Sequence, residues 1–194
     1  SDIHGDRSFI SKMADKGALE KVDLVILAGD MADHEGSVQG MVGPFKEKGL
    51  EVAVLPGNHE GMAEVGFLID QYNAKNLHGY VIQKGDVGIF GCGYGDIGIH
   101  QLTEEEFFNT LRQAHDKVKD FKKKIMVTHV HPSKTKMEKL SGFVPGSTGV
   151  KEAIDKFKPD IMLCSHVHEA EGIEEIVGKT KVVNVGRHGK IFEI

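Results

Sequence analysis

Tryptophan is absent from the 194 residues, and the chain has only two cysteines and five prolines. Cys92 and Cys164 are far apart and neither belongs to a Cys-x-x-Cys pair, which excludes a disulfide framework and a thiolate zinc or redox motif. Two isolated cysteines favour a reducing, cytoplasmic compartment. No apolar run approaches the roughly 18–20 residues of a membrane span, and no signal-peptide pattern opens the chain. We therefore expect an intracellular protein that does not enter a membrane.

Charge and composition exclude further classes of protein. With 40% hydrophobic and 27% charged residues, the chain resembles an ordinary globular protein rather than a disordered, collagenous or coiled-coil one. Its length is that of about one domain, so residues 1–194 are interpreted as a single domain that needs no disulfide or structural zinc. The formal net charge of -5 disfavours a broad basic surface that would bind nucleic acid. A local patch or a metal pocket could still attract phosphates, so nucleic acid is not excluded as a substrate.

Short apolar runs alternate with helix-patterned stretches, which predicts an α/β fold with helices covering a sheet. The runs that suit strands buried on both faces are 24–28, 52–55, 125–128 and 161–164. Three helices are predicted from their caps: one from Ser8 to about residue 21, one from Thr103 to about residue 120, and one from Ser147 or Thr148 to about residue 157.

Other segments carry weaker patterns. Residues 37–48 predict a broken helix, because glycines and Pro44 interrupt them. Hairpins are predicted at 80–90 and between 181–185 and 190–194, while 132–149 is interpreted as a long loop. Asp2-Ile3-His4 looks like the polar end of a strand, so we expect a first strand that is missing before Ser1.

Polar side chains of metal-ligand or acid–base type follow each predicted buried strand. Ligands bind at the carboxyl ends of strands in open α/β sheets, so these residues are expected to converge on one crevice. Oxygen and imidazole donors without cysteine suit a catalytic Mn, Fe or Zn site better than a structural zinc site. The residues are Asp2, His4, Asp30, Asn58, His59, His129, His166 and His168.

These residues lie in five ordered segments that resemble the motifs of the calcineurin-like metallophosphoesterases. The segments are Asp2-Ile3-His4, Gly29-Asp30-Met31-Ala32-Asp33, Gly57-Asn58-His59-Glu60, His129 and Ser165-His166-Val167-His168. One such motif alone is weak, whereas all five in order span nearly the whole chain. The resemblance implies a four-layered αββα sandwich of two mixed sheets with flanking helices and a dinuclear metal centre at the strand ends. Ser165 departs from the pattern, because the family usually has glycine there.

Carried over by residue, the resemblance implies one metal held by Asp2, His4, Asp30 and His168. It implies a second metal held by Asp30, Asn58, His129 and His166, so that Asp30 bridges both. His59 matches the family's proton donor or oxyanion stabiliser, and Asp33 matches the acid that orients that histidine in some members. His131 follows a predicted ligand and could line the pocket or face water. We favour the interpretation as a loop residue that faces water.

The expected activity is hydrolysis of a small phosphoester, such as a nucleotide, by attack of a metal-bound hydroxide on the phosphorus. Two ions can orient and neutralise the phosphoryl group, with Mn favoured and Fe, Zn, Ni or Co as alternatives. A phosphodiester is favoured over a monoester because small members without a capping domain resemble the phosphodiesterase-like branch. The rivals are a non-catalytic scaffold of the same fold and a nuclease, and the sequence does not indicate the oligomeric state.

Overall fold

The computed structural model describes residues 1–194 and contains two β-sheets flanked by helices. The strands are β1 Val25–Ala28, β2 Val52–Leu55, β3 Lys75–Asn76, β4 Val81–Lys84, β5 Val87–Cys92, β6 Lys123–Thr128, β7 Ile161–Cys164, β8 Glu174–Val177 and β9 Thr180–Asn184. The helices are α1 Arg7–Leu19, α2 Gly43–Glu47, α3 Met62–Tyr72, α4 Glu104–His115, α5 Lys136–Ser141 and α6 Thr148–Phe157, with a 3₁₀ turn at His168–Ala170. The four strands predicted from apolar runs are confirmed as β1, β2, β6 and β7. No helix has the length and apolarity needed to cross a membrane.

The two sheets differ in size and in strand direction. The smaller sheet has the order β1-β2-β3 and is wholly parallel, whereas the larger has the order β4-β5-β6-β7-β9-β8. In the larger sheet the central strands are parallel and the edge strands β4 and β8 are antiparallel to their neighbours. The larger sheet is thus mixed, and the smaller one is parallel rather than mixed.

Successive side chains of a strand point to opposite faces of its sheet, so the apolar side chains are divided between the helix-facing layers and the layer between the two sheets. In β2, Val52 and Val54 pack in a cluster with residues of α1 and α3, while Ala53 and Leu55 belong to the cluster between the sheets. On the far side, α4 and α6 pack side chains such as Phe107 against the larger sheet. This arrangement is the four-layered αββα sandwich that the resemblance implied.

Local capping decides where the helices begin. Thr103 and Glu106 form the predicted capping box of α4, and the Ser147 hydroxyl accepts the Val150 N–H at the start of α6 at 3.1 Å. Helix α1 starts earlier than predicted, because Asp6 rather than Ser8 accepts the Phe9 N–H. Helix α4 ends at His115, before the predicted residue 120.

Several weaker predictions are corrected. The C-terminal hairpin was wrong, because β9 pairs with β8 across a turn containing Gly178, and residues 190–194 form no strand. The 132–149 segment contains helix α5, and helix α3 was not predicted. Within 37–48 only α2 is helical, with Pro44 in its first turn.

The first residues run beside the end of β1. The Asp2 and Ile3 amides donate to the carbonyls of Gly29 and Asp30 at 3.1 and 2.8 Å. Strand β1 pairs with β2 on its other side, and a largely apolar groove of about 780 Å³, lined by side chains such as Leu27, lies next to β1. The expectation of a further strand ahead of Ser1 stays a prediction.

Candidate metal centre

The carboxyl ends of strands from both sheets converge on one cluster of donor groups. Three groups of side chains each offer ligand atoms that lie within 4.8 Å of one another, and the groups share His4 and Asp30. Shared members join the three groups into a single centre. The groups are Asp2–His4–His168, His4–Asp30–His59 and Asp30–His129–His166.

Asp30 lies at the middle of this centre and is almost fully buried. It follows β1 with a φ of 53°, a left-handed conformation that costs free energy for a non-glycine residue. A Cβ on Gly57 would lie 2.1 Å from Asp30 Oδ1, so the close approach of the two loops requires glycine at position 57. Although burial acts in the opposite direction, His129 and His59 hold the pKa of Asp30 well below its ordinary value.

His129 is fully buried and its ring is held from both ends. Nδ1 lies 2.9 Å from the carbonyl of Ala28, which accepts a hydrogen bond when Nδ1 carries the proton. Nε2 then faces the centre, 3.3 Å from Asp30 Oδ2 and 3.1 Å from Asn58 Oδ1. Burial opposes protonation of the ring, but the Asp30 carboxylate outweighs it and raises the pKa of His129 to about 9. The attraction marks a position where a cation is favoured.

The first and last motifs meet around Asp2. Its Oδ1 lies 3.7 Å from His168 Nε2, and its Oδ2 accepts a hydrogen bond from the Ser165 hydroxyl. Ser165, where the family usually has glycine, is thus accommodated by a contact with a predicted ligand. Asn184 supports the same loop by donating to the Val167 carbonyl at 3.0 Å.

His166 and His131 both have side chains that are largely enclosed by the surrounding protein. Burial, together with the nearby His129, lowers the pKa of His166 to about 3, which favours the neutral imidazole that a metal ligand requires. Burial lowers the pKa of His131 to about 4, and neither of its ring nitrogens has a hydrogen-bond partner. The interpretation of His131 as a water-facing loop residue was therefore wrong, since its side chain is fully buried.

His59 and Asp33 occupy different environments. The His59 side chain is about half exposed, with Nε2 3.9 Å from Asp30 Oδ2 and its ring 4.9 Å from that of His4. Asp33 Oδ1 instead accepts the amide protons of Glu35 and Ser37 in its own turn. No hydrogen bond joins Asp33 to His59, so the orienting role of Asp33 stays a prediction.

Glu60 is a residue whose position sequence reasoning missed. Its fully buried carboxylate accepts from the amides of Met31 and Ala32 at 3.0 and 3.1 Å, and from Gly57 at 2.9 Å. It therefore ties the loop after β1 to the loop after β2, and burial raises the pKa of this carboxyl. The only sequence feature that could have indicated this role is the position of Glu60 directly after His59 in the motif.

The donor set fits divalent cations. Asp2 Oδ1 is buried without a hydrogen-bond partner, although such an atom is costly to leave unpaired. Carboxylate, amide and imidazole donors surround it without any thiolate, since both cysteines lie in the apolar core. The sequence-predicted ligands that these groups bring together are Asp2, His4, Asp30, His129, His166 and His168, with the Asn58 amide in contact with His129.

Solved structures of low sequence identity share the fold. The protein TT1561 of Thermus thermophilus superposes with a TM-score of 0.76 at 19% identity, over 96% of this chain and 86% of that one. A Staphylococcus aureus protein assigned as a 5'-nucleotidase gives 0.63 at 19% identity, over 93% of this chain and 43% of that one. The Thermus sulfate thiohydrolase SoxB gives 0.53 at 13% identity, over 94% of this chain and 38% of that one. No curated protein sequence matches the chain at a significant level.

The family model for calcineurin-like phosphoesterases matches residues 1–170. That range contains all five motifs and every side chain of the three donor groups. The chain therefore belongs to the calcineurin-like phosphoesterase family.

Proposed function

We propose that the protein hydrolyses a phosphodiester with two divalent metal ions held by the cluster around Asp30. The observation that carries the proposal is the overlap of the three donor groups at His4 and Asp30. The first ion would be held by Asp2, His4, Asp30 and His168, and the second by Asp30, Asn58, His129 and His166. Manganese is the proposed metal, since oxygen and imidazole donors suit it, with Fe, Zn, Ni and Co as alternatives.

The charge of this ligand set matches a phosphate substrate. Asp2 and Asp30 are its only carboxylates, so two divalent ions would leave the centre net positive. When bound, two divalent ions would lower the pKa of water at the site and would neutralise the charge that develops on the phosphoryl oxygens. The protein's part is to hold the donors rigidly, which the Glu60 carboxylate and the contact between Ala28 and His129 support.

His59 is the proposed proton donor. Its exposed side chain at the edge of the cluster is accessible to a bound ester, whereas His129 and His131 are buried. An alkoxide leaving group requires a proton in the transition state, and imidazole can supply one near neutral pH. We also propose Asp33 as a positioning residue for His59 in the complex with substrate.

The exposure of the cluster favours a diester. The side chains of His59 and His168 are 52% and 61% exposed, and an open site supports a substrate with two substituents on the phosphorus. The second candidate is a phosphomonoesterase using the same residues, the reaction class named for the Staphylococcus protein of similar fold. A nucleotide fits either reaction as substrate. We propose a cytoplasmic location from the two unpaired cysteines.

The decisive experiment compares a chromogenic phosphodiester with its monoester analogue, using protein loaded with Mn²⁺. We expect faster turnover of the diester and loss of both activities in Asp30→Asn. Asp86→Asn is the matched control, because Asp86 is exposed and pairs with Lys122. Faster turnover of the monoester would select the second candidate, and no turnover by protein with two bound ions would favour a scaffold.

A further inference from the structure

A carboxylate outside the five motifs lies beside the candidate ligand His166. Asp96 follows β5, and its Oδ1 is 3.6 Å from His166 Nε2. The side chains are 10% and 7% exposed, so water screens their interaction little. At 3.6 Å the two atoms are a few tenths of an ångström too far apart for a hydrogen bond.

The same two atoms are buried and unpartnered. Asp96 Oδ1 and His166 Nε2 both lack a hydrogen-bond partner, and an unsatisfied buried polar atom costs about 1–3 kcal/mol. A ring N–H at Nε2 donating to Oδ1 would satisfy both atoms after a small side-chain rotation. Asp96 Oδ1 is thus the acceptor that His166 Nε2–H lacks, and Nε2–H is the donor that Oδ1 lacks.

The loop that carries Asp96 is packed against the second metal site. A Cβ on Gly95 would lie 2.6 Å from Asn58 Cβ, and the His100 amide donates to the Asn58 carbonyl at 3.4 Å. Within the loop, Gly95 and His100 are joined by a backbone hydrogen bond of 3.0 Å. Glycine at 95 thus permits the close contact that holds Asp96 next to His166.

We propose that Asp96 is a positioning residue that accepts a hydrogen bond from His166 Nε2 and so leaves Nδ1 free to bind the second metal ion. Metal-ligating histidines commonly donate their other ring N–H to a carboxylate, which sets both the tautomer and the ring orientation. Asp96 is absent from the group formed by Asp30, His129 and His166, which accords with a place behind the ligand rather than on the ion. The inference rests on the metal-binding part of the proposed function.

The test reads the His166 tautomer in metal-free protein by ¹⁵N–¹H correlation spectra of the imidazole nitrogens, with His166→Gln to identify the signal. We expect the Nε2–H form in the unmodified protein. Asp96→Ala should shift the ring toward Nδ1–H, whereas Asp96→Asn should retain Nε2–H because an amide oxygen also accepts. Circular dichroism of each variant establishes that it folds.

Metal affinity is the second readout. Titration with Mn²⁺ should give two binding sites in the unmodified protein. In Asp96→Ala the affinity of one of these sites should fall by roughly 10–100-fold, while the affinity of the other should not change. Asp86→Asn is the charge-matched control, since Asp86 is exposed and pairs with Lys122. An Nδ1–H tautomer in the unmodified protein, or an unchanged tautomer and affinity in Asp96→Ala, would overturn the proposal.

Failure of the proposed function gives a different result. A chain that binds two ions but hydrolyses neither ester loses the phosphoesterase assignment, while the tautomer and affinity measurements still decide the role of Asp96. The protein could instead bind no Mn²⁺ while His166 keeps the Nε2–H form that depends on Asp96. That result would overturn both the proposed metal centre and the proposed role of Asp96 in it.

Discussion

The Ser165 hydroxyl donates a hydrogen bond to Asp2 Oδ2 and joins two motifs that are 163 residues apart in the chain. Both residues are buried, and the other oxygen of the same carboxylate is unpartnered. One oxygen of Asp2 is therefore held by serine while the other remains available to a cation. The contact requires a side-chain donor at position 165, which glycine cannot supply.

Replacing Ser165 by alanine should weaken the first metal site. The change removes a hydrogen bond to a buried carboxylate, a contact worth about 1.5–3 kcal/mol in charged cases. We expect lower Mn²⁺ affinity at one of two sites in a calorimetric titration and a lower denaturation midpoint. Ser11→Ala, on the exposed face of α1, should change neither quantity. Equal affinities in Ser165→Ala and the unmodified protein would contradict this role for the hydroxyl.

His59→Ala should separate catalysis from metal binding. Loss of a general acid costs typically 10²–10⁴-fold in rate, so we expect kcat to fall by about that factor while two ions remain bound. Steady-state kinetics and metal analysis of the same preparation measure both quantities. Loss of an ion together with activity would instead identify His59 as a ligand, as its group with His4 and Asp30 also allows.

Glu60→Gln should destabilise the protein, although the buried Glu60 side chain has no proposed contact with the substrate. The carboxylate accepts three amide protons, and an amide in its place directs an N–H toward one of those donors. We expect a loss of about 1–3 kcal/mol in the free energy of unfolding by urea denaturation. Glu35→Gln, at an exposed position, serves as the control. An unchanged midpoint would mean that Glu60 does not brace the two loops.

The two sheets are joined by an ion-pair cluster with a defined pH dependence. Glu51 contacts Lys75 at 2.7 Å and Lys84 at 2.9 Å, and hydrogen bonds from these lysines hold the pKa of Glu51 below its usual range. The stabilisation is therefore present above the ordinary pKa of about 4.3 and is lost as the pH falls through the lowered value.

Glu51→Gln should accordingly be less stable than the unmodified protein at pH 7, and the two should converge in acid. Because these side chains are partly exposed, the difference at pH 7 should be at most about 1 kcal/mol and should shrink in salt. Thermal denaturation between pH 7 and pH 3 measures it. A difference that grows as the pH falls would contradict the sign.

Removal of metal should lower stability as well as activity. A ligand that binds only the folded chain stabilises it by about 2.7 kcal/mol at a hundredfold excess over its Kd. We expect a chelator to lower the Tm and added Mn²⁺ to restore it. In Asp30→Asn the response to Mn²⁺ should be much smaller, and a response equal to that of the unmodified protein would place the metal elsewhere.

Local chemistry made much of the fold predictable. The apolar runs of β1, β2, β6 and β7 are short and largely buried. Thr103 and Ser147 cap their helices by accepting amide protons from residues three positions along the chain. The prediction of the C-terminal hairpin was wrong because β9 pairs with β8, and β8 is only partly buried and carries charged residues. A strand of that composition is not distinguished by its sequence from a loop.

The amino-acid sequence by itself determined the donor types, their order and their places after buried strands, because strand direction sends those ends to the same edge of a sheet. Only the tertiary structure brought Asp96 to His166, Ser165 to Asp2 and Glu60 beneath two loops, and only it enclosed His131. These contacts depend on how the loops at the strand ends pack on one another. Glycine at positions 57 and 95 permits the loops to approach Asp30 and Asn58 closely. Contacts of that kind leave no periodic signal in a sequence, because the residues that make them are distant in the chain and meet only after the sandwich has formed.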